Sequence, residues 1–505
     1  MDLHPKYTDP SYLQGYGTEY LFIVTCMCTQ LFYQAATVQP LTILTVISDH
    51  FNASRGQQTW FMAAVPFATG TLVLISGRIG DIYGLKRVML GGYVWSIIWS
   101  LLSGLSYYVN VTFFIVSRAF LGAGIAFIIP NMMGIIGTIY RPATHRKNIV
   151  FSLVGASAPI GAVMGIFWSG FIVHFTNRWD WCMYAHAIGL CIAGAISWHI
   201  VPANLPVNPN STAMDWAGAF LGVAALVLFN FVWNQAPDAG WDTAYIIVLL
   251  VLSVIFMALF IWCEAKYATH PLIPRSLKRA NKLFLVILLA MFFGWGSFGI
   301  WLLYYFRFLT EFRGYGPLHA AWTFWPVLFS GCIAAVGVGF LFRHFRVEFI
   351  LLASMTAFTV PCILLSVAPV DETWWRTTFG AAIIVAYGMD MSYPASSIVL
   401  SDTLPPDCQG IAGSLTNTIT GYTMSIFLGM GSVIEAELLK RGRGKLEAFR
   451  ASLYFAIGLG ALSMVIASIP PLLVWLDPRK GSGMKGVVAS QSSKEEPKPA
   501  GGDGE

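Results

Sequence analysis

Charge is what this chain has least of: 11% of its 505 residues are Asp, Glu, Lys or Arg, against the quarter or so usual in a soluble domain. That scarcity excludes a water-facing surface over most of its length. Missing too are an HExxH helix, a Gly-x-Ser-x-Gly elbow and clustered histidines, so no recognised catalytic constellation points to an enzyme. No Gly-x-x-x-x-Gly-Lys-Ser/Thr loop is present to hold nucleotide phosphates, which argues against an ATP-driven pump. The eight cysteines include no CxxC pair and no metal-ligand spacing, and read as free thiols acting as small apolar residues. Basic residues are scattered over short loops and form no stripe for nucleic acid, despite a net charge of +5. The N-terminus carries Asp2, Asp9 and Glu19 and lacks a signal peptide's basic flank and cleavage site, so the first apolar run is expected to stay as a helix.

What is present is apolar sequence. Hydrophobic residues make up 56% of the chain, and runs of about 20 of them, enough to cross roughly 30 Å of hydrocarbon, recur from Tyr20 to Trp475. They predict spans over 20–47, 58–77, 88–108, 111–139, 149–172 and 182–201, a first six-helix bundle. Two further spans follow a polar stretch, over 216–233 and 244–263. A second set covers 283–308, 319–341, 349–369, 376–400, 410–434 and 452–475. The fold expected is therefore all-α and polytopic, with about 14 transmembrane helices arranged as six plus two plus six. Its parts are a tail (1–19), a first bundle (20–202), a linker with two extra helices (203–282), a second bundle (283–476) and a tail (477–505) whose Gly, Ser, Lys, Glu and Pro read as disordered.

An even count puts both tails on one side, and Arg and Lys choose it. With the tails cytoplasmic, Arg78, Lys86, Arg87, Arg141, Arg146, Lys147 and the basic loop from Lys266 to Lys282 all fall inside. The main exception is the outer loop around Lys440, Arg441, Arg443, Lys445 and Arg450, offset by Glu435, Glu437 and Glu447. The glycosylation-type tripeptides at Asn52 and Asn110 fall outside, close to the membrane, and that at Asn210 inside.

Between the second and third spans stands Gly77-Arg78-Ile79-Gly80-Asp81-Ile82-Tyr83-Gly84-Leu85-Lys86-Arg87. An ordinary basic turn accounts for Arg78, Lys86 and Arg87 but not for Gly77, Gly80, Gly84 and Asp81. The stretch resembles the signature between helices two and three of the major facilitator superfamily. That resemblance implies a cytoplasmic gate in which Asp81 sits near the positive end of a helix of the opposite bundle, here the thirteenth, with Lys86 and Arg87 helping to hold it. A weaker echo, Gly339 to Arg346, occupies the equivalent connection of the second set.

Arg118, about 10 Å from the outer end of its helix, resembles the fourth-helix arginine of proton-driven facilitators; the alternative is an arginine snorkelling outwards. Gly155, Pro159, Gly161 and Gly165 resemble the fifth-helix motif of the exporter branches, with Ala158 and Ala162-Val163 departing from it, or form a close-packing face without directional meaning. Trp179 and Trp181 read as interfacial anchors. Asp390, mid-span in Gly388-Met389-Asp390-Met391-Ser392-Tyr393-Pro394, is the most informative charge of the second half: it takes up a proton, faces a cation, or is satisfied by local hydroxyl and backbone groups. Its surroundings, with Gln409 to Thr418, resemble a fungal branch containing aminotriazole-resistance, borate-efflux and low-affinity ammonium transporters. Asp215-Trp216 and Gly240-Trp241 resemble the fourteen-span drug:proton antiporter group. His186 is a proton relay or a structural hydrogen-bonding residue. By position Tyr33, Gln34, Gln39, Trp295, Tyr387 and Asn417 are cavity candidates, with simple packing as the alternative for the aromatics.

The resemblance implies a proton-coupled secondary transporter that exports small or toxic molecules by alternating access, with Arg118, Asp390 and His186 as proton-coupling candidates. It needs no metal or cofactor, since the proton gradient supplies the energy. The partners expected are a small-molecule substrate, protons and the lipid bilayer, for a multi-pass monomer in the plasma membrane. Uptake or facilitated passage of a small solute such as ammonium is the alternative, and a nutrient sensor or channel on the same fold is the rival class.

Overall fold

Lipid offers backbone N–H and C=O groups no partner, so a chain this poor in charge satisfies them inside helices. The computed structural model describes residues 13, 15–140, 145–203, 205, 213–267, 282–403 and 409–476. In chain order the helices are α1 (Tyr16–Val38), α2 (Leu44–Phe51), α3 (Arg55–Tyr83), α4 (Leu85–Leu105), α5 (Val111–Ile139), α6 (His145–Thr176), α7 (Asp180–Ile200), α8 (Trp216–Ala239) and α9 (Ala244–Lys266). The second half continues with α10 (Lys282–Arg307), α11 (Pro317–Trp322), α12 (Trp325–His344), α13 (Val347–Val367), α14 (Thr377–Thr403), α15 (Gln409–Lys440) and α16 (Lys445–Leu476). Thirteen spans in the described residues are long and apolar enough to cross a membrane. The fourteenth is α14, 27 residues long and less apolar because it carries Asp390 and several serines. Arg141, Asn210, most of the basic loop after α9, most of the N-terminal tail and all of the tail after residue 476 lie outside the described residues.

Several boundaries differ from expectation, each for a local reason. The first span is two helices, because Pro40 has no N–H to return to the Ala36 carbonyl; α1 stops at Val38 and the chain restarts at Leu44. Gly77–Arg87 is not an extended loop. Helix α3 runs on to Tyr83 and α4 starts at Leu85, leaving Gly84 alone between them at φ +100°, a conformation open to glycine. The span expected over 319–341 divides into α11 and α12, with Pro326 in the first turn of α12, where its missing N–H costs nothing. A single π-turn, Phe308–Phe312, extends α10. Helix α15 continues past residue 434 to Lys440, so Glu435 belongs to the helix and not to the outer loop.

The two bundles meet along two seams. On one, α3 crosses α15 where Gly70 faces Gly421 and Tyr422 backbone to backbone, leaving no room for a Cβ on Gly70. On the other, α6 packs against α11 and α12. Helix α8 docks on both α3 and α15. Its Asn230 and Asn234 are fully buried; Asn234 Nδ2 donates to the Ser425 carbonyl at 3.2 Å and Ser425 Oγ donates to Asn230 Oδ1 at 2.9 Å. At the last turn of α8, Asp238 accepts from Ser54 Oγ at 2.7 Å and from the Gly56 amide at 3.2 Å, holding the start of α3. Helix α9 lies against α8.

Candidate functional site: buried charges between two helical bundles

The signature is held by sterics on one side and by helix ends on the other. Gly80 lies against the Asn131 side chain so closely that a Cβ has no space. Asn131 is fully buried and donates to the Phe127 carbonyl at 2.7 Å; sequence reading missed it, although Pro130 beside it marks a disturbed turn. A Cβ on Gly77 would lie 3.6 Å from the Ser414 hydroxyl, so α3 meets the start of α15 here. Asp81 is half-buried, with Arg78 in electrostatic reach. The side chains of residues 409–413, at the start of α15, lie outside the described residues. Lys86 makes its contacts within the first bundle. Its ammonium donates to the Trp198 carbonyl at 2.8 Å and to the Val201 carbonyl, closing the C-terminus of α7. That bond keeps Lys86 inside the first bundle, while Arg87 is exposed.

Arg118 does not snorkel. It is fully buried, and Nη2 donates to the Ala36 carbonyl at 2.6 Å, the same acceptor that Pro40 cannot use. Its Nε and Nη1 have no hydrogen-bond partner, and no carboxylate among the described residues forms an ion pair with it. His186 lies close enough to feel the Arg118 charge. Both its ring nitrogens are buried without hydrogen bonds, and its ring stands edge-on to Phe32 at 5.7 Å, 6.2 Å from Trp168. The proline break in the first span and the buried arginine are thus one structural unit.

Asp390 sits midway along α14 with Oδ2 buried and unpartnered. That oxygen faces Gly331 of α12. A Cβ on Gly331 would lie 2.8 Å from Asp390 Oδ2 and 2.7 Å from the Cβ of Pro159 on α6. The carboxylate therefore stands where the second bundle touches the fifth-span motif of the first. Within that motif, Gly161 and Gly165 let α6 press onto Leu31 and Ala35 of α1, whereas Gly155 has open space.

The cavity candidates separate. Tyr33 lies within electrostatic reach of Tyr393, and Tyr393 is hydrogen-bonded to Asn417; these three join α1, α14 and α15. Trp295 Nε1 donates to Ser392 Oγ at 3.2 Å, tying α10 to α14. Gln34 is half-buried. Gln39 is not grouped with them: it is buried inside the first bundle, where Nε2 donates to the Cys182 carbonyl at 2.7 Å. Tyr387 packs on Ala334, Val338, Ile350 and Met391 of the second bundle.

At the far end, several features depart from or extend the sequence reading. Trp179 is buried among His50, Phe51, Tyr107 and Phe114, so of the two tryptophans only Trp181 is exposed as an anchor. Beside it, hydrogen bonds to Asp180 and Tyr108 raise the Arg178 guanidinium further within its already high range. Exposed Asn52 ends α2 in the left-handed region at φ 50°. Exposed Asn110 caps α5, its Oδ1 accepting from the Phe113 amide at 2.8 Å. Arg307 and Glu435, neither singled out from sequence as a pair, form a buried bidentate ion pair at 2.7 Å and 2.7 Å.

Two helical bundles meeting along α3–α15 and α6–α12, with Asp390 buried at the contact between them and Arg118 buried inside the first, are the architecture of a polytopic membrane transporter. The chain belongs to the Major Facilitator Superfamily, whose model matches residues 23–430. It is 47% identical over 471 residues to the aminotriazole resistance protein of Saccharomyces cerevisiae, covering 93% of this chain and 87% of that one. It is 39% identical to the low affinity ammonium transporter of the same yeast, covering 89% and 88%. With the efflux pump terJ of Aspergillus terreus it shares 34% identity over 97% of this chain and 96% of that one. In fold it is similar to a crystal structure of an auto inhibited POT family peptide transporter, with a TM-score of 0.65 at 12% identity over 89% of this chain and 95% of that one. The family read from Gly77–Arg87 is the family found, and it is one of transporters rather than enzymes.

Proposed function

We propose that this chain is a proton-driven exporter of small molecules, working by alternating access, with the signature end of α3 in the cytoplasm and the chain in the plasma membrane. The observation that carries the reading is Asp390. A carboxylate halfway along a spanning helix, with an oxygen buried and unpaired, is costly when charged and is relieved by taking up a proton. It stands at the contact between bundles, where a change of charge bears on whether α6 and α12 stay together. Arg118, a buried cation without a carboxylate partner among the described residues, is the complementary group: it favours whichever state brings an anion or a water path to Nε and Nη1. Export is supported by the efflux pump and the aminotriazole resistance protein among the relatives.

The test is substrate-driven proton movement in vesicles of purified protein, with candidate cargoes taken from a toxicity screen of an overproducing strain. Asp390→Asn and Arg118→Ala are expected to abolish gradient-driven transport while keeping the size-exclusion profile of the parent. Unchanged pH dependence in both variants removes them from the coupling role.

A second reading, uptake or facilitated passage of a small solute, is favoured by the 39% identical low affinity ammonium transporter. Direction separates the two. Cells lacking an exporter accumulate labelled cargo, whereas cells lacking an importer fail to take it up.

A further inference from the structure

We propose that Arg55 and Glu311 are the external latch of this transporter, an ion pair that joins the two bundles at the end opposite the signature and breaks without leaving a bare buried charge. The proposal rests on the alternating-access reading and on the orientation proposed with it.

Arg55 is the first residue of α3, in the first bundle; Glu311 lies in the π-turn that ends α10, in the second. Arg55 Nη1 lies 2.6 Å and 2.7 Å from the two Glu311 oxygens. Other ion pairs of the described residues stay within a bundle: Glu19–Arg146 and Arg178–Asp180 in the first, Arg307–Glu435 and Arg346–Glu348 in the second. This contact crosses between them.

What lies behind Glu311 makes it a latch and not a rivet. Its Oε1 also accepts from Arg307 Nε at 3.0 Å. Arg307 is held bidentately by Glu435, and Glu435 accepts from the Tyr304 hydroxyl at 2.6 Å. The charges therefore alternate along one chain, Arg55, Glu311, Arg307, Glu435. When the start of α3 swings away, Glu311 keeps Arg307, and Arg307 keeps Glu435. Arg55, its side chain already 31% exposed against 2% for Arg307, passes to water. A cleft of about 360 Å³, lined by Asp49, Gln58 and Lys445 as well as the pair itself, brings water to that contact. Desolvation, the main cost of parting and re-forming buried ion pairs, is thereby confined to the part that never has to move. The π-turn contributes to the same end, since such turns are local departures from α-geometry that recur at functional positions.

The latch controls a face of α3 that can be reported on directly. Gln58, Met62, Pro66 and Gly70 follow at four-residue spacing and share one face; Gln58 lines the cleft and Gly70 meets α15. Met62, between them, is fully buried. In cells producing Met62→Cys, a membrane-impermeant thiol reagent is expected to label slowly over the native-thiol background. Adding Arg55→Gln is expected to raise the labelling rate about two- to fivefold, the scale of a partly exposed ion pair. Arg55→Lys is expected to fall between, because it keeps the charge on a head of different shape and reach, which sits less well between the two carboxylate oxygens. The reversed pair, Arg55→Glu with Glu311→Arg, is expected not to restore protection, because it sets an arginine against Arg307. Arg441→Gln, at an exposed pair with Glu437, is the control expected to label as the parent does.

Protection unchanged by Arg55→Gln overturns the latch while leaving alternating access standing; protection restored by the reversed pair supports a latch between these two positions and overturns only its dependence on Arg307. Rapid labelling of Met62→Cys with both pair residues in place also overturns the latch, while alternating access is judged separately by the proton-movement assay. The readout requires no cargo, so it is independent of export or uptake. Size-exclusion profiles of each variant separate opening from unfolding.

Discussion

Glu435→Gln tests whether the second bundle depends on one buried ion pair. Arg307 is 2% and Glu435 3% exposed, and the guanidinium makes two hydrogen bonds of 2.7 Å to the carboxylate. Removing one partner of such a pair costs about 3–5 kcal/mol, mainly because the other charge is left desolvated. Two retained contacts lower that figure here. Arg307 keeps Glu311 at 3.0 Å, and a glutamine oxygen can still accept from Tyr304 or from one guanidinium N–H. The low end, about 3 kcal/mol, is therefore expected, on the order of a hundredfold in the ratio of folded to unfolded protein. The assay is thermal inactivation of purified protein in detergent, followed by size exclusion. Glu437→Gln, whose partner Arg441 is exposed, is expected to cost less than about 1 kcal/mol. Replacing both buried charges, Arg307→Met with Glu435→Met, is expected to recover much of the loss, because no bare charge remains. Equal losses at Glu435 and Glu437, or a double variant worse than the single, refute the reasoning.

Other substitutions probe the seams. Gly70→Ala is expected to slow transport severely, since its Cβ meets the Tyr422 backbone and only separation of α3 from α15 relieves it, whereas Gly91→Ala, with nothing within 4 Å, is expected to be neutral in the same transport assay. Gly84→Ala places a side chain at φ +100° and is expected to cost about 1–3 kcal/mol, read as lower yield and thermal stability. Asn234→Leu removes the bond from α8 to the Ser425 carbonyl and is expected to loosen the extra helices, measured as faster proteolysis in the segment joining them to the bundles. Lys86→Ala is expected to cost about 1 kcal/mol of stability through the C-terminus of α7 without changing external accessibility at Met62→Cys.

Crossings were legible in the sequence because hydrophobic length is a property of consecutive residues, and so was the family, because the Gly77–Arg87 pattern is contiguous. Breaks inside crossings were harder. Pro40 and Pro326 are visible as letters, yet a proline in a spanning helix ends it in one case, at α1, and sits harmlessly inside it in another, as Pro66 does in α3. Pairings were not legible at all. Arg307 and Glu435 are separated by 128 residues, and Glu435 looked like part of an acidic outer loop because hydropathy falls before the helix does. Gln39 was placed by the span it sits on and Lys86 by the signature it belongs to. Their side chains instead satisfy carbonyls of α7, a demand of the backbone that no composition profile records.

The two ends of α3 illustrate how one helix can serve both sides of a membrane. At the signature end glycine carries the contact: Gly77 faces Ser414 and Gly80 fits against Asn131, so the fit is steric and short-ranged. At the other end Arg55 carries it through charge, which acts over a longer distance and through intervening water. Between them Gly70 meets Gly421 and Tyr422 without side chains, a contact that tolerates tilt better than interlocked side chains would. In the alternating-access cycle proposed above, tilting α3 on α15 about this point, with α6 tilting on α12 beside Asp390, would open one end as it closes the other. In that proposal, protonating Asp390 would act on the second seam, where its carboxylate stands beside Gly331 and Pro159. On this reasoning the carboxylate need not touch the cargo to drive its movement; it has only to favour one tilt over the other.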